Sequence, residues 1–210
     1  MEKNCLLTGE EFFKARWGKL PQGYVVGVDE AGRGPLAGPV SAAAVILPVA
    51  CQLPGLDDSK RLTEKKRSVL YEQICEQAIS FSIVFVQAAE IDRINILQAS
   101  MLAMHRAVES LGVEPSMIFV DGNRCPVWPY NSEAVVKGDS KLQCIAAASV
   151  LAKVARDHVM LELDASHPGY GFARHKGYPT RQHFEALHRL GPSEAHRMSF
   201  APVRELSSQV

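Results

Sequence analysis

Two short apolar runs along the chain end in acidic residues and are followed closely by glycine. Residues 24–28 run into Asp29 and Glu30, and residues 117–120 run into Asp121. Runs of this length predict strands that are buried on both faces, and an acid at the end of such a strand lies at the edge of its sheet. The acids of the two runs meet only if the two strands are neighbours in one sheet.

Hydrophobic spacing and turn residues predict the remaining elements. Spacings of three and four between Ile94 and Leu111 favour a long helix that ends at Gly112. Thr63 is a suitable N-cap for a helix that continues through Ala78. Further helices are predicted over residues 10–17, over residues 180–190, and from a start within residues 138–143 to about residue 163. Further strands are predicted over residues 39–47, 80–86 and 133–137.

The start of the long alanine-rich helix carries a candidate functional acid. Ser140 and Gln143 have the spacing of a capping box, which would place Asp139 just outside the helix N-terminus. A carboxylate there either only stabilises the positive end of the helix dipole or also faces a metal ion. The pattern leaves both interpretations open.

Strands that alternate with helices indicate an α/β fold, with a mixed central sheet flanked by helices. We expect a lead-in over residues 1–22, a main domain over residues 23–165 and a C-terminal extension over residues 166–210. The extension begins where the sequence changes to a loop in which aromatic and basic residues are interleaved.

Composition favours an ordinary globular protein with oxygen ligands for any metal. The chain has 210 residues, 47% of them hydrophobic, which is enough for one substantial core. No apolar run has the length of a signal-peptide core or a membrane span, so a cytoplasmic protein is expected. Five scattered cysteines without a Cys-x-x-Cys pair predict free thiols, which favours magnesium or manganese over zinc; they are Cys5, Cys51, Cys75, Cys125 and Cys144.

The charges are balanced overall but unevenly distributed. Basic and acidic residues number 23 each, so net charge does not indicate a nucleic-acid partner. From residue 165 onward there are six basic and three acidic residues, together with five of the seven histidines. This weakly favours a basic C-terminal surface beside an acidic centre, with the histidines expected on that surface.

Asp29, Glu30, Asp121 and Asp139 together would form an oxygen-rich, anionic site. Such a cluster could hold two divalent cations, an arrangement that cuts phosphodiesters by activating water and neutralising the leaving oxygen. Neighbours on a regular strand point to opposite faces. Both Asp29 and Glu30 therefore reach the site only if the strand ends or distorts at Glu30, or if Glu30 offers its backbone carbonyl.

Two other interpretations are open for these residues. The acids after the first strand could be a solvated strand end. The glycines after it could form a phosphate-binding loop, but Gly-x-Gly-x-x-Gly would need glycine where Ala37 stands, and no Gly-Lys-Ser/Thr occurs. Glycines on either side of Arg33 suit a tight backbone that approaches a sugar or phosphate closely.

Several motifs, in order and covering about residues 24–203, resemble bacterial ribonuclease HII, the type 2 ribonuclease H. They are DEAGRGPLAGPV at 29–40, DSKRL at 58–62, DGN at 121–123, KGDS at 137–140, AAASVLAKVARD at 146–157 and YGFARHKGY at 170–178. The resemblance implies a ribonuclease-H-like catalytic domain with a small helical substrate-binding extension. Only 23 residues precede the first strand, so the related ribonuclease HIII, with its extra N-terminal domain, is expected to fit less well.

The resemblance also implies a function. It implies a metal-dependent endonuclease that cuts the RNA strand of RNA–DNA hybrids and nicks 5′ of single ribonucleotides embedded in duplex DNA. The cofactors that it implies are Mg²⁺ or Mn²⁺, with two ions per site. The protein is expected to be a monomer that binds these nucleic acids and does not associate with a membrane. Two alternatives remain open: a related metal-dependent nuclease of the same fold, and a binding module without turnover.

By position, the resemblance assigns roles to individual residues. Asp29, Glu30, Asp121 and Asp139 match the metal-binding carboxylates. The substrate-binding residues are Gly32, Arg33 and Gly34, which would read the ribose 2′-OH, together with Lys60 and Tyr170, of which Tyr170 would pack against the sugar at the junction with DNA. Asp157 is expected to be structural, fixing the long helix.

Overall fold

The structure, a computed structural model, describes residues 6–207. The helices are α1 (Gly9–Trp17), α2 (Glu64–Gln77), α3 (Ala88–Glu109), α4 (Gln143–Ser166), α5 (Phe172–His175), α6 (Arg181–Leu190) and α7 (Ala201–Ser207). The strands are β1 (Tyr24–Ala31), β2 (Val40–Ile46), β3 (Ser80–Val86), β4 (Pro115–Asp121) and β5 (Ser132–Val135). Every helix and strand expected from the sequence is present, and α5 and α7 are additional.

The five strands form one mixed sheet in the order β3-β2-β1-β4-β5. β1 is antiparallel to β2 and parallel to β4, and β4 is parallel to β5. Val28 of β1 lies opposite Val120 of β4. The next residues along these strands are Asp29 and Asp121, so the two acids leave the sheet side by side. The two strands are thus neighbours, which is the condition that the sequence set for the acids to meet.

Helices cover both faces of the sheet, which explains why its central strands are continuously apolar. Val25 of β1 and Phe119 of β4 pack on the face covered by α2 and α4. Their neighbours Val26 and Val120 point to the opposite face and pack against α3. The mixed α/β architecture expected from the sequence is therefore confirmed.

Gly27 lets α4 lie directly on β1. A Cβ atom built on Gly27 would stand 2.2 Å from the carbonyl carbon of Cys144, in the first turn of α4. Because backbone lies in that space, no side chain fits there. This close contact places the start of α4 beside the end of β1, where Asp29 is found.

Two boundaries differ from those predicted. β1 continues through Glu30 to Ala31, because β2 pairs with both residues. α3 starts at Ala88 and contains a break at Asn95, where φ is 66°. The side-chain oxygen of Asn95 accepts hydrogen bonds from the backbone N–H groups of Leu97 and Gln98. Asn95 thus begins a second helical segment, and the predicted start near residue 94 corresponds to that segment.

The C-terminal extension has its own small core against the end of α4. Buried members of this core are Met160, Phe172, Leu187 and Val203. α5 has four residues and α7 has seven, too few for a helical period to be recognised in the sequence.

The expectation of surface histidines in this extension was wrong for three of the five. His175, His183 and His196 are 9%, 0% and 1% exposed, respectively. Their imidazole rings lie next to one another and to Phe172. Aromatic packing, which a count of charges cannot detect, keeps these rings away from solvent.

The described cysteines are free thiols, as predicted: Cys51, Cys75, Cys125 and Cys144. Cys5 lies outside the described residues. Within residues 6–207, no helix combines the length and the apolar character needed to cross a membrane.

Candidate active site

Three acids from distant parts of the sequence meet at one edge of the sheet. Asp29, Asp121 and Asp139 each offer a carboxylate oxygen, and these three oxygens lie within 4.8 Å of one another. Asp29 and Asp139 are buried and Asp121 is half-buried. We call this set the three-acid cluster. Clustered carboxylate oxygens of this kind are the ligands that Mg²⁺ and Mn²⁺ prefer.

Asp121 itself helps to position Asp139. Its Oδ1 accepts a hydrogen bond of 2.7 Å from the backbone N–H of Gly138, the residue before Asp139. A Cβ atom on Gly138 would lie 2.5 Å from Cδ1 of Ile145, so glycine is needed where this turn meets α4. The last acid of β4 therefore anchors the turn that carries the third acid.

The predicted capping box before α4 was wrong. Asp139 lies in a 3-10 turn, Gly138–Ser140, and α4 begins at Gln143 with Leu142 as its N-cap and no side-chain capping bond. The Ser140 hydroxyl instead donates to the carbonyl of Lys137. Asp139 is therefore positioned by a separate turn that points it toward Asp121.

Glu30 lies beside the three-acid cluster without belonging to it. The strand neither ends nor loses its register at Glu30, so its side chain leaves the opposite face from that of Asp29. Its Oε1 lies 3.3 Å from Nη1 of Arg33. Burial raises the pKa of Glu30, Arg33 lowers it and Asp121 raises it, with a net increase. A role for Glu30 as a metal ligand stays a prediction.

Burial and repulsion make the anionic form of Asp29 unfavourable. Desolvation is the largest cause that raises its pKa well above the ordinary value, followed by the charges of Glu30 and Asp121. Hydrogen bonds from the Ser149 hydroxyl and from the backbone N–H of Glu30, the latter 2.7 Å long, oppose this increase in pKa. A buried carboxylate that is repelled in this way gains most from a nearby cation.

Lys60 supplies a positive charge to the same edge. Its Nζ lies 3.4 Å from Oδ2 of Asp139 and 3.8 Å from Oδ1 of Asp58. Desolvation lowers its pKa, but Asp29, Asp58 and Asp139 together raise it. The side chain is 72% exposed, so the ammonium group stands between the acids and solvent.

The loop Gly32–Gly34 follows β1, and two buried arginines contact it. Gly32 has φ +97°, and a Cβ atom there would lie 2.1 Å from Nε of Arg156. Arg197 donates to the carbonyls of Gly32 and Arg33 at 2.6 and 3.0 Å. These bonds fix the loop next to the three-acid cluster, while the Arg33 side chain stays about half exposed.

Two tyrosines of the extension have different environments. Tyr170 is 8% exposed, stacks on Phe172 with ring centroids 5.3 Å apart, and donates its hydroxyl to the carbonyl of Gly191 at 2.7 Å. Tyr178 is 44% exposed, and its Cε1 would lie 3.6 Å from a Cβ atom on Gly34. Of the two, Tyr178 offers an accessible ring beside the glycine loop.

Sequence reasoning missed Tyr178 and Ser149 as site residues. Tyr178 lies in the stretch of interleaved aromatic and basic residues at the start of the extension, and that pattern is the signal by which it could have been found. Ser149 lies within an alanine-rich helix and gives no separate signal. Asp157 pairs with Lys153 one turn earlier on α4, Nζ to Oδ1 2.6 Å, which agrees with the structural role expected for it.

The mixed sheet flanked by helices and the acids at its edge are those of a ribonuclease H-type hydrolase. The family model of ribonuclease HII matches residues 26–203. The chain therefore belongs to the ribonuclease HII family, whose members act on RNA–DNA hybrids.

Solved structures agree with this assignment. The chain is similar to ribonuclease H2 from Pyrococcus horikoshii OT3, with 26% identity, a TM-score of 0.75, and coverage of 89% of this chain and 98% of that one. The fold is also shared with the RNase HII of the PCNA:RNase HII complex from Archaeoglobus fulgidus, with 24% identity, a TM-score of 0.71, and coverage of 87% and 96%. Bst-RNase HIII in complex with Mn²⁺ shares it at 19% identity and a TM-score of 0.72, with coverage of 91% and 71%. Archaeal proteins are among these structures, so the comparisons do not restrict the family assignment to bacteria.

Proposed function

We propose that this ribonuclease H-type nuclease is a metal-dependent endonuclease. It cleaves the RNA strand of RNA–DNA hybrids and nicks 5′ of single ribonucleotides in duplex DNA, leaving a 3′-hydroxyl and a 5′-phosphate. The observation that carries the proposal is the three-acid cluster, with oxygens within 4.8 Å of one another, directly beside the glycine loop.

The donor set suits two divalent ions, Mg²⁺ or Mn²⁺. Asp29, Asp121 and Asp139, whose oxygens lie within 4.8 Å of one another, would hold the ions, and Glu30 would add a further ligand. When bound, the ions would supply Lewis-acid activation of water and neutralise charge on the leaving oxygen. Burial and, after it, repulsion by neighbouring carboxylates raise the pKa of Asp29 and of Asp139. This supports cation binding, since a bound cation would stabilise both carboxylates in their charged form.

The chain's own residues would orient the substrate. Lys60, whose ammonium group already lies at the site edge, would contact a phosphate. The backbone of Gly32, Arg33 and Gly34 would read the 2′-OH, the one group by which a ribonucleotide differs from its neighbours. A polar group paired with the 2′-OH and left unpaired by deoxyribose costs about 1–3 kcal/mol, which is a useful margin for discrimination.

A tyrosine would pack against the sugar at the junction with DNA. The resemblance assigned this role to Tyr170, and that assignment stays a prediction. Exposure beside Gly34 favours Tyr178 instead, because the hydroxyl and one face of Tyr170 are already engaged within the protein. Tyr178→Ala is expected to lower cleavage at a single embedded ribonucleotide more than Tyr170→Phe, when both are compared on identical duplexes. The opposite ranking would return the role to Tyr170.

The nuclease proposal is tested with a labelled duplex that contains one ribonucleotide, in Mg²⁺ or Mn²⁺. Wild-type protein is expected to nick it 5′ of the ribonucleotide, and Asp29→Asn is expected to be inactive. Asp164→Asn is the matched control, since Asp164 lies on α4 fifteen residues beyond Ser149, about 22 Å along the helix. Activity that persists in EDTA, or equal activity of Asp29→Asn, would reject the metal site. Cleavage of the all-DNA duplex would instead indicate a related nuclease that does not recognise ribose.

A further inference from the structure

The buried histidines of the extension form a hydrogen-bonded chain that ends at Tyr178. His196 lies 3.1 Å from His183, Nε2 to Nε2, and Nδ1 of His183 lies 2.9 Å from the carbonyl oxygen of Tyr178. Nδ1 of His196 lies 3.0 Å from the backbone nitrogen of Ser193. We call the path from Ser193 through both rings to Tyr178 the histidine chain. No step of the proposed mechanism uses it.

The direction of the histidine chain follows from its two ends. A backbone N–H only donates, so Nδ1 of His196 must accept from Ser193, and its proton is on Nε2. That proton is donated to Nε2 of His183, which therefore carries its own proton on Nδ1. A backbone carbonyl only accepts, so the Nδ1 proton of His183 is donated to Tyr178. Each ring is neutral and has one possible tautomer.

The histidine chain holds the peptide of Tyr178 against the glycine loop. The neighbouring carbonyl of Gly177 accepts from the backbone N–H of Leu36 at 2.7 Å, and the N–H of Tyr178 donates to the carbonyl of His175 at 2.9 Å. The tyrosine ring then projects beside Gly34. His183 and His196 come from α6 and from the segment before α7, so the chain ties both parts of the extension to the residue next to the loop.

Stability alone does not explain two histidines at these positions. Both are essentially inaccessible to solvent and are surrounded by Phe172, Tyr170 and His175, where apolar side chains of similar volume would pack without desolvating ring nitrogens. What a directional hydrogen bond adds is a fixed position for the atom that it contacts.

We propose that His183 and His196 are positioning residues that set Tyr178 for recognition of a single embedded ribonucleotide. This inference rests on the proposed function. Displacement of a substrate-contacting group by about 1 Å can cost about a hundredfold in rate. Loss of the histidine chain should therefore reduce cleavage at a single ribonucleotide more than cleavage of a long RNA–DNA hybrid, where several registers are available.

The first experiment compares His196→Leu, which removes the Nε2 donor, with His196→Gln, whose side-chain amide can replace it. His188→Leu, on the exposed face of α6, is the control. The readout is the ratio of kcat/KM for a single-ribonucleotide duplex to kcat/KM for an RNA–DNA hybrid. The ratio is expected to fall at least about tenfold in His196→Leu, to be largely restored in His196→Gln, and to be unchanged in His188→Leu. A folded His196→Leu protein with the wild-type ratio would overturn the proposal.

The second experiment uses the unaltered protein and so does not depend on any variant folding. ¹⁵N NMR of its imidazole groups near pH 7 should show the Nε2–H tautomer for His196 and the Nδ1–H tautomer for His183. The opposite tautomer on either ring would break the histidine chain and overturn the inference. Wild-type protein that cleaves neither substrate, while showing the expected tautomers, would instead count against the proposed function.

Discussion

Replacing Asp29 by Asn should stabilise the metal-free protein while abolishing cleavage. Asp29 is 3% exposed, and its oxygen lies within 4.8 Å of those of Asp121 and Asp139. At that separation and an effective dielectric constant of about 20, each pair of ionised carboxylates repels by about 3.5 kcal/mol. Asn keeps the shape of the side chain and the oxygen that accepts from the N–H of Glu30, but it removes the charge.

The gain should depend on pH with a definite sign. The pKa of Asp29 is raised in the fold, so the folded protein holds a proton that the unfolded chain releases. The stabilisation that this proton on Asp29 gives the wild-type protein is therefore fully present below the ordinary carboxyl pKa and is lost as the pH rises through the folded pKa. Because partial protonation already relieves some repulsion, we expect Asp29→Asn to gain about 2 kcal/mol at pH 8, or about 4–8 °C in Tm, and less at pH 5.

Thermal unfolding from pH 5 to pH 9 in EDTA measures this difference, with Asp164→Asn as the control for loss of a carboxylate elsewhere. Added Mn²⁺ should raise the Tm of the wild-type protein and of the control, but should raise that of Asp29→Asn much less. If Asp29→Asn were less stable than wild type at pH 8 in EDTA, hydrogen bonds to Asp29 would outweigh repulsion, and the electrostatic reasoning would be refuted.

Two further predictions concern stability. Burial lowers the pKa values of His183 and His196 from 6.5 to about 4, so the unfolded chain takes up protons that the fold resists as the pH falls from 6.5 to 4. The buried carboxylates have the opposite pH dependence, so urea unfolding of the wild type is compared with that of His196→Leu. From pH 7 to pH 5 the wild type should lose about 2 kcal/mol more than the variant, and equal changes in the two proteins would contradict this. Gly27→Ala forces a methyl group onto the backbone of Cys144 and should destabilise the protein by about 1–3 kcal/mol in the same assay; wild-type stability would show that α4 lies farther from β1.

The sequence by itself determined most of the elements, the mixed α/β fold and most of the acidic site. Continuous apolar runs mark strands buried on both faces, and an acid that directly follows such a run can lie only at the sheet edge. This local logic placed Asp29 and Asp121 at the ends of their strands, and the strand order then brought them together. The lone acid Asp139 could be placed only by resemblance, since its neighbours equally suit an ordinary helix start.

Only the tertiary structure decided which side chains belong together. Asp139 joins the site through a turn anchored by Asp121, and Glu30 is turned toward Arg33 because β2 keeps β1 in register beyond it. His183 and His196 are buried by contacts with rings from α5 and its neighbours, and Tyr178 is brought beside Gly34. Such contacts join residues far apart in the chain, and a local pattern of hydrophobic and polar positions does not encode distances between them.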